Sequence, residues 1–171
     1  MDLLKSKIRN VPDFPKAGIL FYDVTTLLRD PTGFRLAIDM LSTPYRDRDI
    51  SLVVGIESRG FILGSAVADR IGAGFVPVRK VGKLPADKIR ATYQLEYGTD
   101  SLEMHRDAIS PGQRVLIIDD LLATGGTARA TVDLVRQLRG EVIGVAVLIE
   151  LVALNGRAKL AGENVMAVLQ Y

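Results

Sequence analysis

Asp119 and Asp120 follow a four-residue apolar run, Val115 to Ile118, and two leucines separate them from Ala123-Thr124-Gly125-Gly126-Thr127. Carboxylates in that place can accept hydrogen bonds from sugar hydroxyls or face a bound magnesium ion. Ala123 to Thr127 offers backbone N–H groups with little side-chain bulk, two hydroxyls and the positive end of the helix that the next residues predict. Together these suit a phosphate lying beside a ribose. The plain alternative is the strand–turn–helix bend of any α/β protein, with the acids only capping the helix. Paired Asp followed by Thr-Gly-Gly-Thr is far more restrictive than a Gly-Gly turn, and it favours the phosphate–ribose site. No Gly-Lys-Ser/Thr follows, so this is not a Walker loop.

Two further groups of residues could do chemistry. Glu57-Ser58-Arg59-Gly60 repeats the phosphate logic at a second bend: Arg59 offers a planar fork and Gly60 lets backbone approach closely. Taken alone, an Arg at a helix start is more often a surface residue. Basic residues also gather at Arg79, Lys80, Lys83, Lys88 and Arg90, with no aromatic residue among them before Tyr93. A nucleic-acid surface would want a broader stripe or a recognisable module, whereas a small polyanion explains this cluster better.

The elements that must position these residues follow from periodicity. Val115 to Ile118 is a strand buried on both faces of a parallel sheet. From Thr127 the spacing turns helical, with Ala128, Val132, Val135 and Leu138 on one stripe. Leu52 to Ile56 predicts another strand, turning through Glu57 to Gly60 into a helix with Leu63, Val67 and Ile71 inward. Asp30-Pro31 caps a helix whose buried stripe is Phe34, Ala37, Ile38 and Leu41. Gly74 to Lys80 and Glu141 to Ile149 are strands, and Val165 to Leu169 closes the chain. Ala91 to Gly98 and Ser101 to His105 form an antiparallel pair. Leu3 to Arg9 predicts a short helix. Asn10 to Leu28, punctuated by Pro12, Pro15 and Gly18, predicts irregular chain. Asn155-Gly156 predicts a turn and nothing further, and His105, the only histidine, a structural strand residue. Strands alternating with helices imply a mostly parallel sheet with ligands at the strands' carboxyl ends.

The 171 residues fit one domain, 1–171, with no repeat, linker or low-complexity tract. With no cysteine there is no thiol nucleophile, disulfide framework or thiolate zinc site, and a reducing cytoplasmic setting is the expectation. The longest apolar run, Val142 to Ile149, is too short to span a bilayer, and the basic N-terminus lacks a signal-peptide block. A net charge of +2 reads as a mixed, solvated surface. Neither nucleic acid nor membrane is an expected partner.

Val115 to Thr127 resembles the phosphoribosyl-diphosphate signature of the type I phosphoribosyltransferases. The resemblance narrows to the adenine phosphoribosyltransferases through Pro12-Asp13-Phe14-Pro15, Ile19-Leu20-Phe21, Glu57-Ser58-Arg59-Gly60-Phe61, Arg79-Lys80, Gly82-Lys83-Leu84-Pro85 and Leu95-Glu96-Tyr97-Gly98. These stretches stand in the family's order from about Ile8 to Tyr171. The resemblance implies an α/β fold with a mostly parallel central sheet flanked by helices, a small N-terminal hood over 1–28 and a mobile antiparallel lid over 80–100.

It also implies roles. Ala123, Thr124, Gly125, Gly126 and Thr127 would hold the 5-phosphate, and Asp119 and Asp120 the ribose hydroxyls, leaving Mg2+ bound mainly by substrate. Arg59, Gly60, Arg79, Lys80 and Lys83 would meet pyrophosphate, with Lys88 and Arg90 left to solvent. A non-proline cis peptide is implied at Glu57–Ser58. Leu20, Phe21 and Tyr22 would form the base pocket, with Phe21 stacked on adenine, although the family often has a basic residue where Tyr22 stands. Glu96 would contact the imidazole side of adenine as the catalytic residue. The implied reaction is purine salvage, adenine plus 5-phosphoribosyl 1-diphosphate giving AMP and pyrophosphate, by a homodimer. A purine phosphoribosyltransferase for another base, or a non-catalytic sensor of phosphoribosyl diphosphate, are the alternatives.

Overall fold

The computed structural model describes residues 2–94 and 98–171. Leu95, Glu96 and Tyr97 lie outside the described residues, and the expected role of Glu96 with them.

Short elements come first: α1 (Asp2–Lys5), β1 (Arg9–Pro12), β2 (Leu20–Asp23) and α2 (Thr25–Leu28). β1 and β2 pair antiparallel, from Arg9 opposite Asp23 to Pro12 opposite Leu20. The stretch expected to be irregular is therefore a small hairpin. Pro12 ends β1, and Pro15 and Gly18 sit in the connection, where the Gly18 N–H donates to Asp13 Oδ1 at 2.7 Å. Four-residue strands are too short to show an alternation in sequence. The helix predicted over Leu3 to Arg9 is only the one turn of α1.

α3 (Pro31–Ser42) starts as expected, with Asp30 Oδ1 accepting from the Gly33 N–H at 2.7 Å. Such a cap contributes about 1 kcal/mol. β3 (Leu52–Ile56), α4 (Arg59–Ile71), β4 (Gly74–Lys80), β5 (Lys88–Gln94), β6 (Thr99–His105), β7 (Arg114–Leu122), α5 (Gly126–Gln137), β8 (Glu141–Glu150) and β9 (Val165–Gln170) follow. The main sheet runs β5-β6-β4-β3-β7-β8-β9. β4, β3, β7, β8 and β9 are parallel, and the β5–β6 hairpin adds antiparallel at one edge through Arg79 opposite Glu103.

Alternation along the strands feeds two cores. Val53, Leu116, Ile118, Ala146 and Leu148 pack with α3 and α4 on one face. Val54, Ile56, Ile117, Val145 and Val147 pack with α5 on the other, where Ala128, Val132 and Val135 are buried as the stripe predicts. From β3 the chain crosses to β4 on one side, and from β7 to β8 on the other. β3 and β7 are neighbours, so a crevice opens beyond their carboxyl ends.

Candidate active site

The acid pair sits within β7 and not after it. β7 stays in register with β8 out to Leu122 opposite Glu150, so Asp119 and Asp120 alternate on a continuing strand. The backbone then turns through Ala123, Thr124 and Gly125, and α5 begins at Gly126. Gly125 has a φ of +78° in the left-handed region, which glycine enters without cost. On the neighbouring strand, β3 ends at Ile56, the Glu57–Ser58 peptide is cis, and α4 begins at Arg59.

These two bends enclose one cavity of about 320 Å³, lined by Glu57 to Arg59 from the first, Asp119 to Ala128 from the second, and Lys80, Tyr93 and Leu102. All five residues expected around the 5-phosphate line it, as do Asp119, Asp120, Arg59 and Lys80. Gly60 is not on the wall. It is buried behind it, where a Cβ would lie 3.0 Å from Asp119 Oδ1, so its smallness lets α4 start against the acid pair.

The cations expected on pyrophosphate are held here by acids. Arg59 Nε donates to Asp120 Oδ2. Lys83 Nζ donates to Glu57 Oε1 at 2.7 Å, and Arg79 lies 3.4 Å from the same carboxylate. The Lys80 N–H donates to Glu57 Oε2 at 3.0 Å, while Lys80 Nζ reaches Asp100 at 2.5 Å. Arg90 is paired too, its Nη2 2.7 Å from the buried Glu103, and Lys88 Nζ donates to the Leu84 carbonyl. Glu103 Oε2 also accepts from the Gly82 N–H, which clips the segment after β4 to the sheet edge.

Two acids on the cavity wall, Asp119 and Glu57, titrate away from their ordinary values. Loss of solvation, then the neighbouring Asp120 charge, pushes the Asp119 carboxyl well above the usual aspartate range. At Glu57 desolvation also pushes upward, but the hydrogen bonds from Lys83, the Lys80 N–H and Arg79 outweigh it and hold the carboxyl at about 2. Because this folded-state value is depressed, its stabilising effect is complete above the ordinary value of 4.5 and disappears as pH falls through about 2. Glu57→Gln should therefore melt below the parent at neutral pH, with the gap closing between pH 4.5 and 2; melting temperatures across that range check it. A gap that ignores pH would mean that another group titrates.

Base-pocket residues divide by strand alternation. Phe21 faces the site, with the Arg59 guanidinium carbon 5.7 Å from its ring centre and Phe14 edge-on at 5.1 Å. Tyr22 points the other way and packs on Tyr171 at 4.1 Å between ring centres. Leu20 is exposed.

With that geometry in view, the comparisons with known proteins carry the family. Residues 23–164 match the family described as Phosphoribosyl transferase domain. The chain is 61% identical over 168 residues to the adenine phosphoribosyltransferase of Solibacter usitatus (strain Ellin6076), covering 98% of this chain and 97% of that one. It belongs to the adenine phosphoribosyltransferase family. The crystal structure of the family member from Rhodothermus marinus DSM 4252 matches with a TM-score of 0.95 at 57% identity, covering 99% of this chain and 97% of that chain. The Saccharomyces cerevisiae member, solved with an imino-altritol bisphosphate and adenine, matches at 0.93 and 41%, over 98% and 97%.

Three site features of this family member escape sequence reasoning. Glu57 is the acid on which Arg79, Lys80 and Lys83 converge. Tyr93 forms a wall: its hydroxyl donates to Asp100 at 3.1 Å, and its ring lies against Gly126, where a Cβ would meet it at 3.0 Å. An aromatic residue in the strand after the basic cluster was the available signal. Third, the Asn155-Gly156 turn lies against the bend through Ala123 and Gly125.

Proposed function

We propose that the chain transfers a 5-phosphoribosyl group from 5-phosphoribosyl 1-diphosphate to adenine, giving AMP and pyrophosphate in purine salvage. The observation that carries this is the single cavity in which a glycine-rich helix start, an acid pair and basic side chains meet, in a chain of this family. The N–H groups and hydroxyls of Ala123 to Thr127 hold the 5-phosphate. Asp119 and Asp120 accept from the ribose hydroxyls. Arg59 exchanges Asp120 for pyrophosphate oxygens, and Arg79, Lys80 and Lys83 join it there. As the leaving group departs, positive charge spreads over the anomeric carbon, so the protein contributes mainly position and fixed charge. Phe21 stacks on adenine, and Glu96 orients the base with N9 toward that carbon.

The donor set also fits Mg2+. Two adjacent carboxylates offer the oxygen ligands that a hard cation prefers. Among the described residues no group of three or more acids and histidines could hold a metal ion, so its remaining ligands would come from the sugar diol and pyrophosphate. When bound, it would neutralise charge on the leaving group. Homodimer formation and a cytoplasmic location complete the proposal. The absence of cysteine is in keeping with a reducing compartment, and among the described residues no helix is long and apolar enough to cross a membrane.

The test is release of pyrophosphate with adenine, guanine, hypoxanthine or xanthine, each with phosphoribosyl diphosphate and magnesium. Turnover with adenine alone, abolished by a chelator, is the expected result. Turnover with guanine and none with adenine would reject the base assignment.

A further inference from the structure

The turn after β8 touches the phosphate bend more closely than any side chain would allow. A Cβ on Gly156 would lie 2.3 Å from the Ala123 carbonyl oxygen and 3.1 Å from the Gly125 nitrogen. The reciprocal holds: a Cβ on Gly125 would lie 2.3 Å from the Gly156 carbonyl oxygen. Gly156 is buried, and its φ lies outside the left-handed region, so a glycine is required there by space and not by backbone conformation.

The turn is fixed from the other side. Arg157 Nε and Nη2 donate to the two Glu150 oxygens at 2.6 and 2.8 Å, and Nη1 donates to the Val165 carbonyl at 2.8 Å. Glu150 is 4% exposed, takes a third hydrogen bond from Gln170, and lies opposite Leu122, the last residue before the bend. The Leu151 N–H donates to the Leu122 carbonyl at 2.9 Å. One bidentate pair thus ties the Gly156 turn to the same strand ends that carry Ala123 to Thr127.

We infer that Gly156, locked by the Arg157–Glu150 pair, is a positioning residue that buttresses the 5-phosphate cradle from behind. It lines no part of the cavity and acts through Ala123 and Gly125. A glycine-rich bend left to itself samples many conformations. A rigid backing holds its N–H groups convergent before ligand arrives, so less ordering is needed on binding. The inference rests on the proposed assignment of that bend to the 5-phosphate.

Calorimetric titration separates the two. Ribose 5-phosphate probes the cradle, and inorganic pyrophosphate probes the basic side, for the parent, Gly156→Ala, Arg157→Gln and Thr127→Val. Gly156→Ala should weaken ribose 5-phosphate about tenfold or more, the scale expected when a binding group is displaced, and lower the melting temperature, while a folded variant keeps pyrophosphate affinity near the parent's. Arg157→Gln, which adds no bulk, should move ribose 5-phosphate the same way and decides the matter if Gly156→Ala does not fold. If Thr127→Val weakens ribose 5-phosphate while the Gly156 and Arg157 variants do not, or if those variants lose both ligands equally, the buttress is refuted. If Thr127→Val has no effect, the cradle assignment itself is wrong.

Discussion

Gly125→Ala should lower kcat/KM for phosphoribosyl diphosphate by about 100-fold or more, the largest loss expected of a single methyl group in this chain. Two effects coincide. A left-handed φ of +78° costs a non-glycine residue roughly 1–2 kcal/mol. The new methyl would also stand 2.3 Å from the Gly156 carbonyl oxygen, a backbone atom with no rotamer to escape through. The bend must therefore move, and its N–H groups with it. Steady-state kinetics with phosphoribosyl diphosphate varied, alongside binding of ribose 5-phosphate, check the result. Ordinary kinetics in a folded Gly125→Ala protein would remove the bend from the phosphate site.

The second large effect is expected from Asp120→Asn. Asp120 is 7% exposed and engages Arg59, so the substitution keeps the shape and removes the charge. A hydrogen bond to a charged group contributes about 1.5–3 kcal/mol, which predicts a rise in KM for phosphoribosyl diphosphate of about 10- to 100-fold. Affinity for pyrophosphate alone should not fall, because Arg59 loses an internal competitor. A parallel loss of both ligands would mean that Asp120 supports Arg59 and does not hold the sugar. Comparing KM with pyrophosphate inhibition of the same variant distinguishes these outcomes.

The parts of the fold that were legible in sequence are those governed by local period. Val115 to Ile118 reads as a doubly buried strand because all four side chains are apolar, and Asp30-Pro31 reads as a helix start because a cap is a three-residue interaction. Where contacts span longer distances, the signal fades. β7 outlasts its apolar run because pairing with β8 continues through Asp119 and Asp120, and backbone hydrogen bonds do not depend on side-chain polarity. The β1–β2 hairpin hides behind Pro12 at the end of β1 and Pro15 in its connection. Lys83 was expected near pyrophosphate, yet its present partner is Glu57, 26 residues away across a strand and a helix. Asn155-Gly156 is visible as a turn, but its seat behind Gly125 follows only from the return of the chain between β8 and β9. The five cradle residues, the acid pair, Arg59 and Lys80 do share one cavity, because a single pair of neighbouring strand ends carries most of them.

The contact of Tyr22 with Tyr171 has a consequence for the order in which the molecule is made. Tyr171 also receives Lys5, whose ammonium lies 4.9 Å from its ring centre and donates to the adjacent Gln170 carbonyl at 3.2 Å. The segment that presents Phe21 is translated before the Tyr171 ring and the Gln170 carbonyl that Tyr22 and Lys5 engage. Such sequence-distant closure is slow compared with local folding. Nascent chains should thus assemble the β3–α4 and β7–α5 units first and seat the β1–β2 hairpin as a closing step, so removing the Tyr171 ring would loosen that hairpin.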